Sequence, residues 1–408
     1  MGDGTAPAIP SVPLRVNRLR TAALAFLSLA LLVGLGGSAG AWGALGWIVG
    51  ATTVVLCFCA LSTLLFTLWI ERRYPPSGRM VRAGTARLHV VEQPGAPHPA
   101  QGGEAPIPVL VLHGASGNLF DQRAAPYASG LGPAIFVDRP GHGYSTRGGR
   151  SNDTPEGQAR TMVALLDALS VERAVVLGHS YAGAVAAAMA LHHPERVAGL
   201  VLVSPVTHPW PGGQTLWYYD VGAMPVIGPL FAWTALVPFG LRRVACAVRG
   251  VFAPQPVPPD YAERAATALA LRPGNFLANA ADLTHLHPSV TRLAPRWGTI
   301  AVPTVVIAGE EDRIVWTGIH ARAFGDAVRG ARLVCVPGLG HKPDYWTPDL
   351  LSGAVEAVRR NEVAQFRPVI VSPPSVPDAP ETFEGDARGS ETGPHTPPRA
   401  VASHPSGS

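Results

Sequence analysis

The chain has 408 residues, of which 47% are apolar and only 15% charged, with 45 Gly, 41 Pro and a formal net charge of +4. That length holds one large domain with appendages. The weak positive balance, with Arg scattered and no basic run interleaved with aromatics, lacks the footprint of a nucleic-acid groove. The four cysteines (Cys57, Cys59, Cys246 and Cys335) have neither zinc spacing nor the look of a disulfide framework. They read as small buried apolar residues.

In chain order, a polar segment (residues 1–20) carries Arg15, Arg18 and Arg20, and from Thr21 to Ile70 no residue is charged. Such a run suffices for two membrane spans of about 20 residues each. Residues 21–74 are therefore read as two transmembrane helices, near 21–39 and 45–70, with Gly36 to Gly40 as the turn. Trp42, Trp47 and Trp69 suit the interfaces, and Arg72 and Arg73 follow the second span. A signal peptide is the alternative, since Ala39-Gly40-Ala41 resembles a cleavage site. The second apolar run would survive cleavage and still anchor the chain in a lipid bilayer. With two spans, both Arg clusters and the following domain lie on the cytoplasmic side; a single span would place that domain opposite. Removal of residues 1–74 is expected to release a soluble domain.

Past Pro75-Pro76, strand-like and helix-like runs alternate, the pattern of an α/β domain over residues 80–361. Leu88 to Val91 reads as an early strand. Val109 to Leu112, Ala134 to Val137, Ala174 to Leu177, Leu200 to Val203 and Thr304 to Ile307 suit parallel strands buried on both faces. Cys335 lies in a further strand-like run, Leu333 to Val336. Helices are predicted over Thr154 to Leu169, Tyr181 to His192, Trp316 to Val328 and Leu350 to Arg360. Between about 207 and 296 the alternation stops. That aromatic stretch, with Trp210, Trp217, Tyr219 and Phe276 among others, reads as an inserted helical cap. From 366 to 408 Pro, Ser, Gly, Ala and Thr dominate, as expected of a disordered tail.

Four segments carry chemistry. In Val176-Leu177-Gly178-His179-Ser180-Tyr181-Ala182-Gly183 a strand runs into a sharp turn that opens a helix. Gly178 and Ala182 give the small neighbours that a strained turn needs, and the turn lifts the Ser180 hydroxyl clear of the sheet. Upstream, Val109 to Leu112 ends in His113-Gly114-Ala115-Ser116-Gly117-Asn118, where small residues let backbone N–H groups approach a developing oxyanion. The donors assigned are the N–H groups of Ala115 and of Tyr181. His113 is read as structural, and Ser116 as a turn residue or a hydroxyl contact. Downstream, Val305 to Ala308 precedes Gly309-Glu310-Glu311-Asp312, whose spacing favours Asp312 as an orienting acid, with Glu310 and Glu311 as alternatives. Last, Val336-Pro337-Gly338-Leu339-Gly340-His341 presents one histidine, a residue able to take a proton and return it near neutrality. His142, in a turn, and His179, beneath the serine, are discounted. No pair of histidines and carboxylates has metal spacing, so neither metal nor other cofactor is expected.

The order oxyanion loop, Ser, Asp, His resembles that of the α/β-hydrolase family. Asp138-Arg139-Pro140-Gly141-His142-Gly143-Tyr144-Ser145 is similar to the family's strand-loop signature. The resemblance covers about residues 80–361. It implies an α/β-hydrolase fold with a mostly parallel sheet and inserted helical cap, Ser180 as nucleophile, His341 as general base and acid, and Asp312 fixing the imidazole. A serine at this turn argues against the dehalogenases and epoxide hydrolases of the family, which carry aspartate there. The expected activity is a cofactor-independent attack on an ester or related acyl bond of a hydrophobic small molecule through an acyl-enzyme. Carbon–carbon hydrolases, cofactor-free haloperoxidases and a non-catalytic ligand-binding protein of the same fold are the alternatives.

Overall fold

Apolar runs of four to eight residues become the strands of one eight-stranded sheet in the computed structural model, which describes residues 41–95 and 106–368. The strands are β1 (Arg79–Ala83), β2 (Ala86–Gln93), β3 (Val109–Leu112), β4 (Ala134–Val137), β5 (Ala174–His179), β6 (Val197–Val203), β7 (Thr304–Gly309) and β8 (Arg332–Val336). Their order is β1-β2-β4-β3-β5-β6-β7-β8, with the first two antiparallel and β4 to β8 parallel. β1 is a strand that the apolar pattern does not announce. Its Arg79 and Arg82 face solvent while Val81 and Ala83 are buried, so it reads as a polar edge. It is completed only by pairing with β2.

Central strands send alternate residues to two separate cores. Leu110, Leu112, Val176, Leu200 and Leu202 enter one, whereas Val109, Val111, Val175, Leu177, Val201 and Val203 enter the other. Burial on both faces is what a parallel sheet covered by helices requires. The helices are α1 (Ala41–Arg73), α2 (Leu119–Ala124), α3 (Pro155–Ala168), α4 (Tyr181–His192), α5 (Trp217–Ala223), α6 (Ile227–Thr234), α7 (Leu236–Phe252), α8 (Tyr261–Arg264), α9 (Pro273–Leu293), α10 (Ala323–Ala327), α11 (Pro343–Trp346) and α12 (Pro348–Arg359). Helix α3 starts at Thr154, whose hydroxyl accepts from the Gly157 N–H, with Pro155 in the first turn where its missing N–H costs nothing. The helix predicted from Trp316 instead begins with a wide turn, closed by the Arg322 N–H on Thr317 O at 2.9 Å, before α10. The Thr317 hydroxyl is meanwhile bound to Gly309 O.

Between β6 and β7 the described chain is helical or irregular, and α5 to α9 form the cap. Helix α1 is long and apolar enough to cross a membrane over Leu45–Arg73, 29 residues, and it covers the span predicted near 45–70. The span predicted near 21–39 lies outside the described residues, as does the tail beyond 368. The end of α1 is no bare tether. Ile70 is fully buried with Ala266 and Leu269, and Phe66 packs against Ala232, Leu236, Leu271 and Phe276 of the cap. Glu71 pairs with Arg272 at 2.6 Å, and Arg73 and the Tyr74 hydroxyl both reach Glu263.

Candidate active site

The parallel strands end along one edge, and the chain reverses its direction of growth beside β3, which lies between β4 and β5. At such a switch point the loops after adjacent strands splay and leave a crevice. The loops after β3 and β5 are the two that carry Ala115 and Ser180.

Ser180 stands between β5 and α4 with φ 55° and ψ −119°, a conformation that costs an L-residue about 1–3 kcal/mol. Its neighbours hold it there. The Ser180 N–H donates to Val203 O (2.9 Å), while Ser180 O accepts from the N–H groups of Gly183 and Val206 (2.9 and 3.0 Å). A Cβ at Gly178 would lie 2.5 Å from Ala182 O, and one at Gly183 2.4 Å from Pro205 Cβ, so larger residues would push the turn apart. Tyr181 opens α4, and its N–H therefore has no intrahelical acceptor.

The loop after β3 is pinned from below by Arg139, a fully buried arginine. Its guanidinium donates to His113 O (2.8 Å), Gly114 O (3.0 Å), Gln158 Oε1 (2.8 Å) and Asp282 Oδ2 (2.7 Å), and lies 4.3 Å from the Tyr181 ring centroid. His113 Nε2 accepts the Arg139 backbone N–H, the structural part expected of it. Asp282, on α9, also takes Arg147 (2.6 Å), Gln158 Nε2 and His142 Nε2 (both 2.9 Å). Burial alone would raise its carboxyl; Arg147, Arg139 and His142 outweigh that and hold it well below the usual carboxylate range. Burial, with Arg139 nearby, lowers His142 to about 4, so its neutral ring donates to Asp282 near neutral pH. The cap reaches the same loop from above. Ser116 N–H donates to Asn279 Oδ1 at 2.7 Å, and the Ser116 and Tyr219 hydroxyls meet at 3.2 Å.

Asp312 and His341 come together across the ends of β7 and β8. His341 Nδ1 lies 2.7 Å from Asp312 Oδ2, and Asp312 Oδ1 accepts the N–H groups of Ile314 and Val315, both at 2.8 Å. Burial raises the Asp312 carboxyl, but His341 and those N–H donors prevail and hold it below its ordinary value. Glu310 instead pairs with Arg322 at the surface, and Glu311 is exposed. His341 packs against His179, with ring centroids 5.0 Å apart, and His179 Nε2 donates to His341 O at 3.2 Å. His179 is the residue before Ser180, so the imidazole is set against the turn itself. Ser180 Oγ makes no hydrogen bond to His341 Nε2 among the described residues; the pair that the structure joins directly is Asp312 and His341.

Sequence reasoning missed what holds this histidine. Lys342 is buried, with Nζ 3.1 Å from Asp121 Oδ2 and 2.8 Å from Asp344 Oδ2. Burial lowers its ammonium and the two carboxylates more than restore it. Gln255 of the cap grips Gly338 O and the Gly340 N–H at 2.6 and 3.0 Å. The only available signal was a lysine beside the histidine, which on its own reads as a surface charge. No group of three or more His, Cys, Asp or Glu side chains among the described residues is arranged to hold a metal ion.

A serine on a strand-to-helix turn, a loop of small residues after the neighbouring strand, and an acid–histidine pair after two later strands are the layout of the α/β-hydrolase fold. A family model for the alpha/beta hydrolase fold matches residues 107–348, more than half of the chain, and the chain belongs to that family. It is 31% identical over 159 residues to 2-hydroxymuconate semialdehyde hydrolase of Pseudomonas putida, covering 36% of this chain and 50% of that protein. It is 29% identical over 259 residues to pimeloyl-[acyl-carrier protein] methyl ester esterase of Edwardsiella ictaluri, covering 60% and 91%. Across the first curated relatives the chain spans half or less of their length. The crystal structure of a hydrolase from Pseudomonas aeruginosa PA01 is similar with a TM-score of 0.54 and 25% identity, covering 69% of this chain and 98% of that one. The chain is thus an α/β-hydrolase-fold protein with a capped, mostly parallel sheet.

Proposed function

We propose that the protein is a membrane-anchored serine hydrolase that cleaves an ester or related acyl bond of a hydrophobic small molecule, with its domain on the cytoplasmic side. The observation that carries this reading is the Asp312–His341 pair at 2.7 Å, set against the turn that bears Ser180. Ser180 Oγ attacks the acyl carbon while His341 Nε2 takes its proton; Asp312 keeps the other ring nitrogen protonated and stabilises the imidazolium. The N–H groups of Ala115 and Tyr181 receive the oxyanion. His341 then protonates the leaving alcohol, and water releases the acid by the same steps reversed. The Ser180–His341 bond forms on substrate binding, since catalytic hydrogen bonds are often long in empty sites. Anchoring rests on α1 and on the charge-free run that precedes it.

A carbon–carbon hydrolase is the second reading, prompted by the similarity to 2-hydroxymuconate semialdehyde hydrolase of Pseudomonas putida. It would use the same serine. The test is turnover of esters of graded chain length by the purified full chain, with product analysis and labelling by a fluorophosphonate probe. Ester cleavage and probe labelling, both lost in Ser180→Ala, are expected. Turnover restricted to carbon–carbon substrates would favour the second reading, and a folded Ser180→Ala that keeps full activity would overturn both.

A further inference from the structure

Two apolar surfaces lie side by side, and nothing among the described residues covers either. Along α1, Phe58, Leu61, Leu65 and Trp69 are exposed. On the cap, so are Trp217, Val226 (78%), Ile227, Leu230 and Leu241. Isolated exposed apolar residues are ordinary, but a contiguous patch of this kind marks an interaction surface. The patches are continuous because α6 packs on α1, with Phe66 seated among Ala232 and Leu236.

Helix length sets the depth. At about 1.5 Å per residue the Leu45–Arg73 helix is roughly 43 Å long, against a hydrocarbon core of about 30 Å. Held upright, the helix leaves about nine residues outside that core. The end that emerges is the one bound to protein: Thr63 and Ile70 are buried, and Glu71 and Arg73 pair with cap residues. The cap is thereby held where α1 leaves the bilayer. Trp69 and Trp217 are the residue type that settles at that boundary. Charge agrees, because from Val221 to Pro259 there is no acidic residue and the three charges are Arg242, Arg243 and Arg249, all exposed. Such a surface suits anionic headgroups.

We propose that α5, α6 and the start of α7 dock on the bilayer as a second membrane contact, in the headgroup layer of the leaflet from which α1 emerges, on anionic lipid. Helix α5 also ties this contact to the site, since Trp217 faces outward while Tyr219, two residues on, meets Ser116 of the oxyanion loop. The substrate is accordingly drawn from the bilayer, a corollary that rests on the ester-hydrolase reading.

The test uses the full chain in vesicles of phosphatidylcholine and phosphatidylglycerol. With Cys57, Cys59, Cys246 and Cys335 changed to Ser, an environment-sensitive dye is placed at Leu230→Cys or, as a remote control, at Glu195→Cys. Brominated lipid should quench the Leu230→Cys label severalfold more than the control, and aqueous iodide should reach only the control. Equal access of iodide to both labels overturns the proposal. Shielding from both quenchers together with cross-linked dimers through Leu230→Cys also overturns it, in favour of a second copy. In a kinetic arm, Val226→Asp, Ile227→Asp and Leu230→Asp combined should slow turnover of a vesicle-borne long-chain ester about tenfold while leaving a water-soluble ester within about twofold. An equal effect on both esters overturns the corollary. Absence of any ester turnover by the wild type defeats the functional reading, and the quenching result still decides the docking.

Discussion

The floor of the site and the cap above it are held by different physics. Beneath the loop after β3, Arg139, Gln158, His142 and Asp282 are buried and bonded to one another, and Ser180 keeps a strained backbone because three hydrogen bonds hold it there. The cap reaches the core through polar points that include Asp282, Asn279, Gln255, Tyr219, Tyr261 and Arg272, and within itself it packs through aromatic contacts such as Tyr219–Phe276. Charges removed from water tolerate little displacement, because each lost partner leaves an uncompensated ion. Aromatic packing is less directional, so a substitution within the cap should disturb its neighbours less than the loss of one partner in the floor.

The sharpest break of that contrast comes from the proposed catalytic side chains, whose loss should abolish turnover without unfolding the floor. Ser180→Ala should remove activity and probe labelling with melting unchanged, and His341→Ala should be nearly as damaging. Asp312→Asn should lower kcat by about 10⁴-fold, as in other triads whose acid becomes an amide. The floor itself is tested by Arg139→Met, which leaves Asp282 with Arg147 as its one remaining arginine and frees the loop after β3. Denaturant unfolding should show a loss of about 3–5 kcal/mol, and adding Asp282→Leu should recover little of it, because Arg147, His142 and Gln158 then lose their shared acceptor.

A third test concerns the seam between α1 and the cap. Cutting residues 1–74 discards the fully buried Ile70, worth about 1.5–3 kcal/mol, and the partly buried Phe66, worth less. Melting in detergent should therefore fall below that of a chain cut after residue 40. Equal melting would show that α1 only tethers.

Acid offers a milder probe. His142 and His320 are held at about 4, foremost by burial, against an ordinary 6.5. A group with a depressed folded value stabilises fully above its unfolded value and loses that contribution as pH falls toward the folded one. Melting temperature should thus decline from about pH 6.5 to 4. It should decline further below 3.8, where the lowered carboxyls of Asp312 and Asp282 begin to take protons in the unfolded chain. His142→Gln should flatten the upper part of the slope. The smallest effects belong to Glu310→Gln and Glu311→Gln, which should leave kcat within about twofold, since surface ion pairs contribute little.

What the sequence alone determined is what local chemistry can carry. β3 and β4 match their apolar runs to the residue, and α4 runs from Tyr181 to His192 as its pattern indicates. The turn at Ser180 was legible because Gly178, Ala182 and Gly183 are the small residues its close contacts demand. Tertiary structure decided the rest. β1 exists only through its pairing with β2, and its exposed arginines carry no strand signal. Choosing Asp312 over Glu310 and Glu311 became a matter of distance only once β7 and β8 lay side by side. Arg139 and Lys342 look like solvated charges in the sequence; both are buried, because Asp282 from the cap and Asp121 from α2 arrive from far along the chain to neutralise them. Burying a charge is favourable only when its partner is already in place, and that condition is a property of the assembled fold.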